Sequence, residues 1–171
     1  MNYGKLIVID DNPAILTAVK ICLTGHFEKI VTLSNPDGII AMLEREKTDA
    51  ILMDMNFTQG VNSGQEGMMW LTAIHRRFPD MPIVLITAYS DVKLAVRALK
   101  NGASDFITKP WDNDELIRIL KDAVDKSRQM MTLEQMETEH LRRAMEISDG
   151  NMSKAADLLG ISRQTLYRKI K

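Results

Sequence analysis

Five short apolar runs, each followed by a stretch with helical spacing, constrain this 171-residue chain more than any other feature. The runs are Leu6-Ile7-Val8-Ile9, Ile30-Val31-Thr32-Leu33, Ala50-Ile51-Leu52-Met53, Ile83-Val84-Leu85-Ile86 and Phe106-Ile107. Each has strand length and near-continuous apolarity, which suits parallel strands buried on both faces. Between them Ile15, Val19 and Leu23 recur every four residues. Val92, Ala95, Val96 and Leu99 follow i, i+3, i+4, i+7, the spacing of a helix's inward stripe. Gly25 and Gly102 stand where the first and fourth helices should stop, and Asp112 with Glu115 forms a capping pair that opens the fifth. Right-handed crossovers between parallel strands lay helices on both faces of the sheet. The expected fold of residues 1–126 is therefore α/β, a (βα)5 doubly wound parallel sheet.

Beyond residue 126 the strands cease. Thr132 and Gln135 make a capping-box pattern that predicts a helix running to about Ser148, where Gly150-Asn151 breaks it. A short helix over Met152–Leu159 ends at Gly160, and Ser162 caps a last helix that reaches Lys171. Helix, Gly-containing turn, helix is the helix-turn-helix signature. Residues 133–171 are thus expected to be a small all-α domain. The short linker at 127–132 has no Pro/Gly/Ser run and can simply prolong the fifth helix.

Charge follows the same division. Net charge is −1, which gives no global basic field for nucleic acid. Residues 1–126, however, hold 14 Lys/Arg against 17 Asp/Glu, and residues 127–171 hold 8 against 6. The last stretch carries Lys154, Arg163, Arg168, Lys169 and Lys171 with Asp157 as its single anion: a basic tip on an acidic body. Cys22 is the lone cysteine, so no intramolecular disulfide forms; it reads as a small buried hydrophobe in a reducing compartment. No apolar run approaches the roughly 18 residues of a membrane span, and no signal-peptide pattern precedes the first strand. The chain is expected to be soluble and cytoplasmic, with no membrane partner.

In open α/β sheets ligands bind outside the carboxyl ends of the strands, at the switch in strand order. Asp10-Asp11 ends the first strand, Asp54 the third, Thr87 the fourth and Lys109-Pro110 the fifth. Close carboxylates repel unless a cation holds them. Hard oxygen ligands without His or Cys favour Mg²⁺. A Lys and a Thr hydroxyl beside that ion suit phosphoryl oxygens, and an Asp can accept a phosphoryl group. Taken singly, Asp10-Asp11 reads as a helix cap, Thr87 as a strand-end cap and Lys109 as a surface cation. Their joint placement is what carries meaning. His26, His75 and His140 lack ligand spacing. The twelve Met residues read as core filling, and Trp70 and Trp111 fit either a core or a domain contact.

In those five positions the chain resembles the receiver domain of two-component response regulators, over roughly residues 4–125. The resemblance implies a flavodoxin-like receiver fold in which Asp54 accepts the phosphoryl group. It implies that Asp10, Asp11, Asp54 and the backbone carbonyl of Asn56 bind Mg²⁺, and that Lys109, with a cis bond to Pro110, pairs with the phosphoryl group. Thr87 becomes the switch hydroxyl, Phe106 the aromatic switch and Tyr89 the residue that tunes dephosphorylation. One departure is the loop MNFTQGVNSGQEG: it lacks the family's Pro and places Gly67 thirteen residues after Asp54, later than is usual. A longer Gly-rich flap over the site is expected from it.

Residues 133–171 carry GN-S-AA-LGIS-R-TLY-K and resemble the Fis-type helix-turn-helix that ends NtrC-family response regulators. Ala155-Ala156 would let two helices approach, with Leu158, Ile161 and Leu166 closing the core. Ser162, Arg163, Gln164, Thr165, Arg168 and Lys169 would face outward as a DNA-binding surface. Arg163 is expected at a guanine edge; Thr165, Tyr167, Arg168 and Lys169 chiefly at the backbone of double-stranded DNA. Leu133, Met136, His140, Leu141, Ala144 and Met145 lie near one stripe, and in Fis-like domains the equivalent helix pairs with its symmetry mate. A homodimer would set two recognition helices about 34 Å apart.

NtrC-family regulators usually carry an ATPase between the two parts. No GxxxxGKS/T occurs here and the linker leaves no room for one, so no ATP and no ATP-driven remodelling of σ54 polymerase are expected. The resemblance thus implies a transcriptional response regulator that a sensor histidine kinase phosphorylates on Asp54, with dimerisation and DNA binding under that control. It implies no enzyme activity beyond self-catalysed phosphoryl transfer to and from Asp54. The alternatives are a phosphotransfer or kinase-sequestering receiver with a dimerising tail, or a truncated or internally deleted σ54 activator. A hydrolase using an aspartyl-phosphate is disfavoured, because Asn56 stands where a second Asp would act as acid and base.

Overall fold

All five apolar runs are strands, joined by helices in strict alternation. The computed structural model describes residues 3–57, 63–88 and 92–170, and within one long helix only the backbone at 130–134, 136, 139 and 143. The order is β1 (Lys5–Ile9), α1 (Pro13–Leu23), β2 (Lys29–Leu33), α2 (Ile39–Arg45), β3 (Ala50–Asp54), α3 (Gln65–Arg77), β4 (Ile83–Ala88), α4 (Val92–Lys100), β5 (Asp105–Lys109) and α5 (Asn113–Ile147). Then come α6 (Met152–Leu159) and α7 (Arg163–Ile170). The chain packs as two units, residues 1–127 and 128–171.

In the first unit one parallel sheet runs β2-β1-β3-β4-β5. Successive residues of β1 face opposite ways, as pleating requires. Leu6 and Val8 join Val19, Leu23, Leu116, Leu120 and Val124 from α1 and α5. Ile7 and Ile9 join Ile39, Leu43, Leu71 and Ile74 from α2 and α3. All four of these β1 side chains are fully enclosed, which is why the strand reads as unbroken apolarity. Trp111 packs against the first of these clusters and Trp70 against the second.

The cap of α5 falls where the sequence predicts it, and that of α1 falls on Asn12, one residue beyond the Asp10-Asp11 pair. The Asn12 side chain accepts from the Ala14 amide at 2.9 Å and opens α1 with Pro13 in its first turn. Asp112 accepts from the Glu115 amide at 3.0 Å and opens α5. Helix α4 forms over Val92–Lys100 as the spacing predicts, but of the periodic set only Ala95 is buried. Ala95 and Ala98 are its buried residues, while Val92, Val96 and Leu99 are exposed. The small alanines bring the helix close to the sheet, so the larger residues of the periodic stripe turn outward.

The C-terminal region follows one sequence reading and departs from another. Residues 127–132 prolong α5, as their composition allows, but Thr132 opens no helix. Lys126–Met131 contains no Pro or Gly, and helix-forming Lys, Arg, Gln and Met residues carry the helix through. In the second unit Ala144, Ala155, Ala156 and Leu166 are buried, with Leu141, Met145, Met152, Leu159 and Ile161 packed around them. Leu158 is 60% exposed and does not close this core; Leu159 takes that place, since only one of two adjacent helical residues can face inward. Asn151 caps α6 through the Ser153 and Lys154 amides at 3.1 and 3.2 Å. Gly160, at φ 65°, supplies the left-handed residue that turns the chain into α7.

Candidate functional site

The strand order reverses between β1 and β3, so the carboxyl ends of these neighbours frame the crevice of an open α/β sheet. Asp10 directly follows β1 and Asp54 ends β3. Carboxylate oxygens of Asp10, Asp11 and Asp54 lie within 4.8 Å of one another. Asp10 is fully buried and its Oδ1 accepts from the Asn12 amide at 2.8 Å, which ties the cluster to the first turn of α1. The Asp54 side chain is 10% exposed, and its Oδ1 accepts from the Met55 amide at 2.8 Å.

Lys109, the last residue of β5, reaches across β4 and β3 toward both acids. Its Nζ stands 3.0 Å from Asp10 Oδ2 and 3.4 Å from Asp54 Oδ2. The Lys109-Pro110 bond is cis. Burial pushes the Asp54 carboxyl up to about 6, with the Asp10 charge adding to the effect and Lys109 opposing it. Burial alone would lower the Lys109 ammonium, but Asp54 and Asp10 outweigh it and hold it above its ordinary value. One ammonium facing three carboxylates leaves the cluster short of positive charge. The donor set is hard oxygen alone, and the pocket fits a divalent cation such as Mg²⁺.

Thr87 is buried in β4, and its Oγ1 donates to the Ala88 carbonyl at 3.4 Å. Phe106 is half-buried in β5, against the cluster that α2, α3 and α4 form with the sheet. Tyr89 lies outside the described residues, as do residues 58–62 of the loop expected to cover the site. The described ends of that loop are pinned in a way the sequence did not disclose. Asn56 Oδ1 accepts from the Gly64 amide at 2.7 Å, and Glu66 accepts from the Phe57 amide at 2.9 Å. Gly67 donates to the Met55 carbonyl at 3.0 Å; a Cβ there would lie 2.6 Å from the Met55 Cα, so the late glycine is what lets α3 begin against β3. Cys22 is half-buried, and burial with Asp114 and Asp112 nearby pushes its thiol up, away from nucleophile character.

The candidate DNA-contacting residues 162–169 are held in different ways at α7. The Ser162 hydroxyl accepts from the Thr165 amide at 3.1 Å and pairs with the Thr165 hydroxyl at 2.8 Å, so these two residues cap the helix. Arg163, Gln164, Arg168 and Lys169 are exposed, and Tyr167 is 48% exposed. The Lys169 ammonium pairs with Glu137 on α5. Of the stripe expected to pair two copies, Leu141, Ala144 and Met145 pack within the second unit and His140 is exposed. The Leu133 and Met136 side chains lie outside the described residues. Among the described residues no helix is long and apolar enough to cross a membrane.

Residues 6–121 match the family described as response regulator receiver domain. Residues 132–171 match the family described as bacterial regulatory protein, Fis family. The N-terminal signal receiver domain of a two-component system response regulator from Bacteroides fragilis is similar at 46% identity and a TM-score of 0.65. That likeness covers 72% of this chain and 98% of that one. The DNA-binding transcriptional regulator NtrC of Salmonella typhimurium is 31% identical over 124 residues, 72% of this chain and 25% of that protein. The acid tolerance regulatory protein ActR of Rhizobium meliloti is 27% identical over 169 residues, 96% of this chain and 84% of that protein. The chain therefore spans about a quarter of the length of NtrC and most of the length of ActR.

Proposed function

This chain belongs to the response regulator receiver domain family, and on that premise we propose that it is a phosphorylation-switched, DNA-binding transcriptional regulator. The observation that carries the reading is the convergence of Asp10, Asp11 and Asp54 within 4.8 Å, with Lys109 bridging two of them. Asp54 is the phosphoryl acceptor. One of its carboxylate oxygens attacks the phosphorus of a phosphohistidine on a sensor kinase; the P–O bond forms as the P–N bond breaks, and the imidazole nitrogen leaves and takes up a proton. Asp10, Asp11, Asp54 and the backbone carbonyl of Asn56 would hold Mg²⁺. That ion, when bound, offsets the charge on the transferring phosphoryl oxygens.

Lys109 sits where its ammonium can follow the charge from the Asp54 carboxylate to the phosphoryl oxygens. Thr87 is suited to the switch because its present contact, 3.4 Å to the Ala88 carbonyl, is long and easily exchanged for a charged acceptor. Phe106, half-buried on the neighbouring strand, is assigned the report of the exchange toward α4, and Tyr89 the tuning of dephosphorylation. The consequence is a shift between existing conformations rather than a new fold. The C-terminal unit supplies the output: α7 enters the major groove of double-stranded DNA, with Arg163 at a base edge and Gln164, Arg168 and Lys169 beside it. A homodimer doubles the number of phosphate contacts that so small a module can make. Only residues 122–131 separate the two family matches, too few for an ATPase.

Intact mass after incubation with acetyl phosphate and Mg²⁺ tests the reading, with DNA binding measured on the same samples. Wild type should gain one phosphoryl group and change its DNA affinity, and Asp54→Asn should do neither. A wild type that gains no mass yet binds DNA would instead be a constitutive DNA binder.

A further inference from the structure

We infer that Tyr167 is a positioning residue: its ring and hydroxyl hold the Arg163 guanidinium ready for a base edge, and so set sequence discrimination rather than overall affinity for DNA. The inference rests on the reading of α7 as the recognition helix. Two observations carry it. The Arg163 Nη2 donates to the Tyr167 hydroxyl at 3.4 Å. The guanidinium carbon stands 5.6 Å from the centre of the Tyr167 ring, within cation–π range.

The pair follows from helix geometry. Residues four apart share a face of the helix, and Arg163 opens α7, where a helix-turn-helix brings side chains to base edges. A free arginine wanders among many rotamers and must be ordered on binding. Tyrosine has two side-chain torsions and offers a stiff, amphipathic rest for it. The hydrogen bond engages one N–H of Nη2. The remaining edge of the fork stays available for paired hydrogen bonds to guanine O6 and N7.

The neighbouring side chains are occupied differently. Ser162 and Thr165 are taken up by the cap, Lys169 by Glu137, and Leu166 by the core. Tyr167 itself is 48% exposed, so it is no part of that core, and its interaction with Arg163 is its distinguishing contact.

The test uses the full chain. Wild type selects sites from a pool of duplexes with randomised central positions. Affinities are then measured for the selected duplex, for the same duplex with each guanine replaced in turn, and for an unrelated duplex of equal length. Arg163→Ala should erase discrimination at one guanine of each half-site. Tyr167→Leu should reduce discrimination at that same guanine about three- to fivefold while leaving the unrelated duplex within about twofold. Tyr167→Phe, which keeps the ring, should restore most of it, and far-UV circular dichroism should show equal helicity in all variants.

Three results would overturn the inference: unchanged discrimination in Tyr167→Leu, an equal loss on selected and unrelated duplexes, or tighter reading of the guanine. The second would make Tyr167 a phosphate contact; the third would mean the ring sequesters Arg163 instead. A wild type that selects no site, either with or without acetyl phosphate and Mg²⁺, sinks the DNA-binding reading, and this inference with it. Selection that Tyr167→Leu leaves intact sinks only the inference.

Discussion

The first unit encloses Leu6, Ile7, Val8 and Ile9 of a single strand completely, and repeats the pattern in β3 and β4. The second closes on Ala144, Ala155 and Ala156 with Leu166 as the one large, fully buried side chain among its described residues. That difference bears on function. A large two-sided core holds its strand ends rigidly enough to keep Asp10, Asp54 and Lys109 together while they are mostly dehydrated. A core of alanines brings α6 and α7 close but leaves their charged residues in water, where a polyanion can reach them. One unit keeps its charges in and the other keeps them out.

The contrast breaks most sharply if each core loses one leucine. Leu166→Ala removes the large anchor of the small core, at a cost of about 2–5 kcal/mol. A module of this size draws only about 3–5 kcal/mol from its core, so the second unit is expected to unfold and DNA binding to vanish. Acetyl phosphate should still add its mass to Asp54. Leu6→Ala should cost a similar amount but leave the first unit folded at room temperature, with a lower thermal midpoint. Amide hydrogen exchange followed by mass spectrometry reads both variants. Protection that survives in α6 and α7 of Leu166→Ala would mean the alanine core suffices without its leucine.

The next effect comes from the charges kept in. With the Asp54 carboxyl at about 6 in the folded chain and 3.8 as its ordinary value, the folded state binds the extra proton between those pH values. Stability is therefore lost as pH rises through that window, and the loss is complete above it. Asp54→Asn removes the buried charge and should stabilise the protein in EDTA near neutral pH by about 2–3 kcal/mol. The gain should disappear at about pH 4. Urea unfolding at the two pH values measures it, and saturating Mg²⁺ should close the gap from the wild-type side. Equal midpoints at neutral pH in EDTA would show that Asp54 is not held in a desolvated site.

These energies mark how far the sequence could be read. The strands were legible because burial on both faces leaves no polar alternation, and the clustering of Asp10, Asp54 and Lys109 because each stands at a strand end. The distances were not. Nothing in the spacing of Asp10, Asp54 and Lys109 says that one ammonium spans both acids, since that depends on the order of β1, β3, β4 and β5. Periodicity locates α4 but does not say which of its apolar residues face the sheet; close packing selects the small ones, Ala95 and Ala98. The Thr132–Gln135 pattern failed for a different reason. A capping box marks a start only where the preceding residues stop a helix, and here nothing does. Adjacent Leu158 and Leu159 could not be told apart without knowing where α5 lies against α6.

A smaller break is available at the turn of the second unit. Asn151 satisfies two amides of α6, and Asn151→Ala should cost about 1 kcal/mol. Thermal unfolding of the second unit should shift accordingly, while that of the first unit stays where it is. Loss of both transitions together would mean the units do not melt separately, and the contrast between their cores would then describe packing alone.

The smallest effect tests the surface that keeps its charges out. Lys109 and Lys169 each face a carboxylate, yet the Lys109 side chain is 28% exposed between Asp10 and Asp54, while Lys169 and Glu137 are 37% and 52% exposed. An exposed pair gains little, at most about 1 kcal/mol, because water and salt screen it. Glu137→Gln should therefore leave stability within about 1 kcal/mol of wild type. It should also release Lys169 from its competitor for phosphate. Affinity for an unrelated duplex should rise up to about twofold, and the salt dependence should steepen by up to about one released counterion per helix. Equilibrium binding over a range of salt concentrations reads both changes. If Glu137→Gln instead destabilised the second unit by more than about 1 kcal/mol, the pair would be holding α5 against α7, and that unit would rest on a surface charge as well as on its alanines.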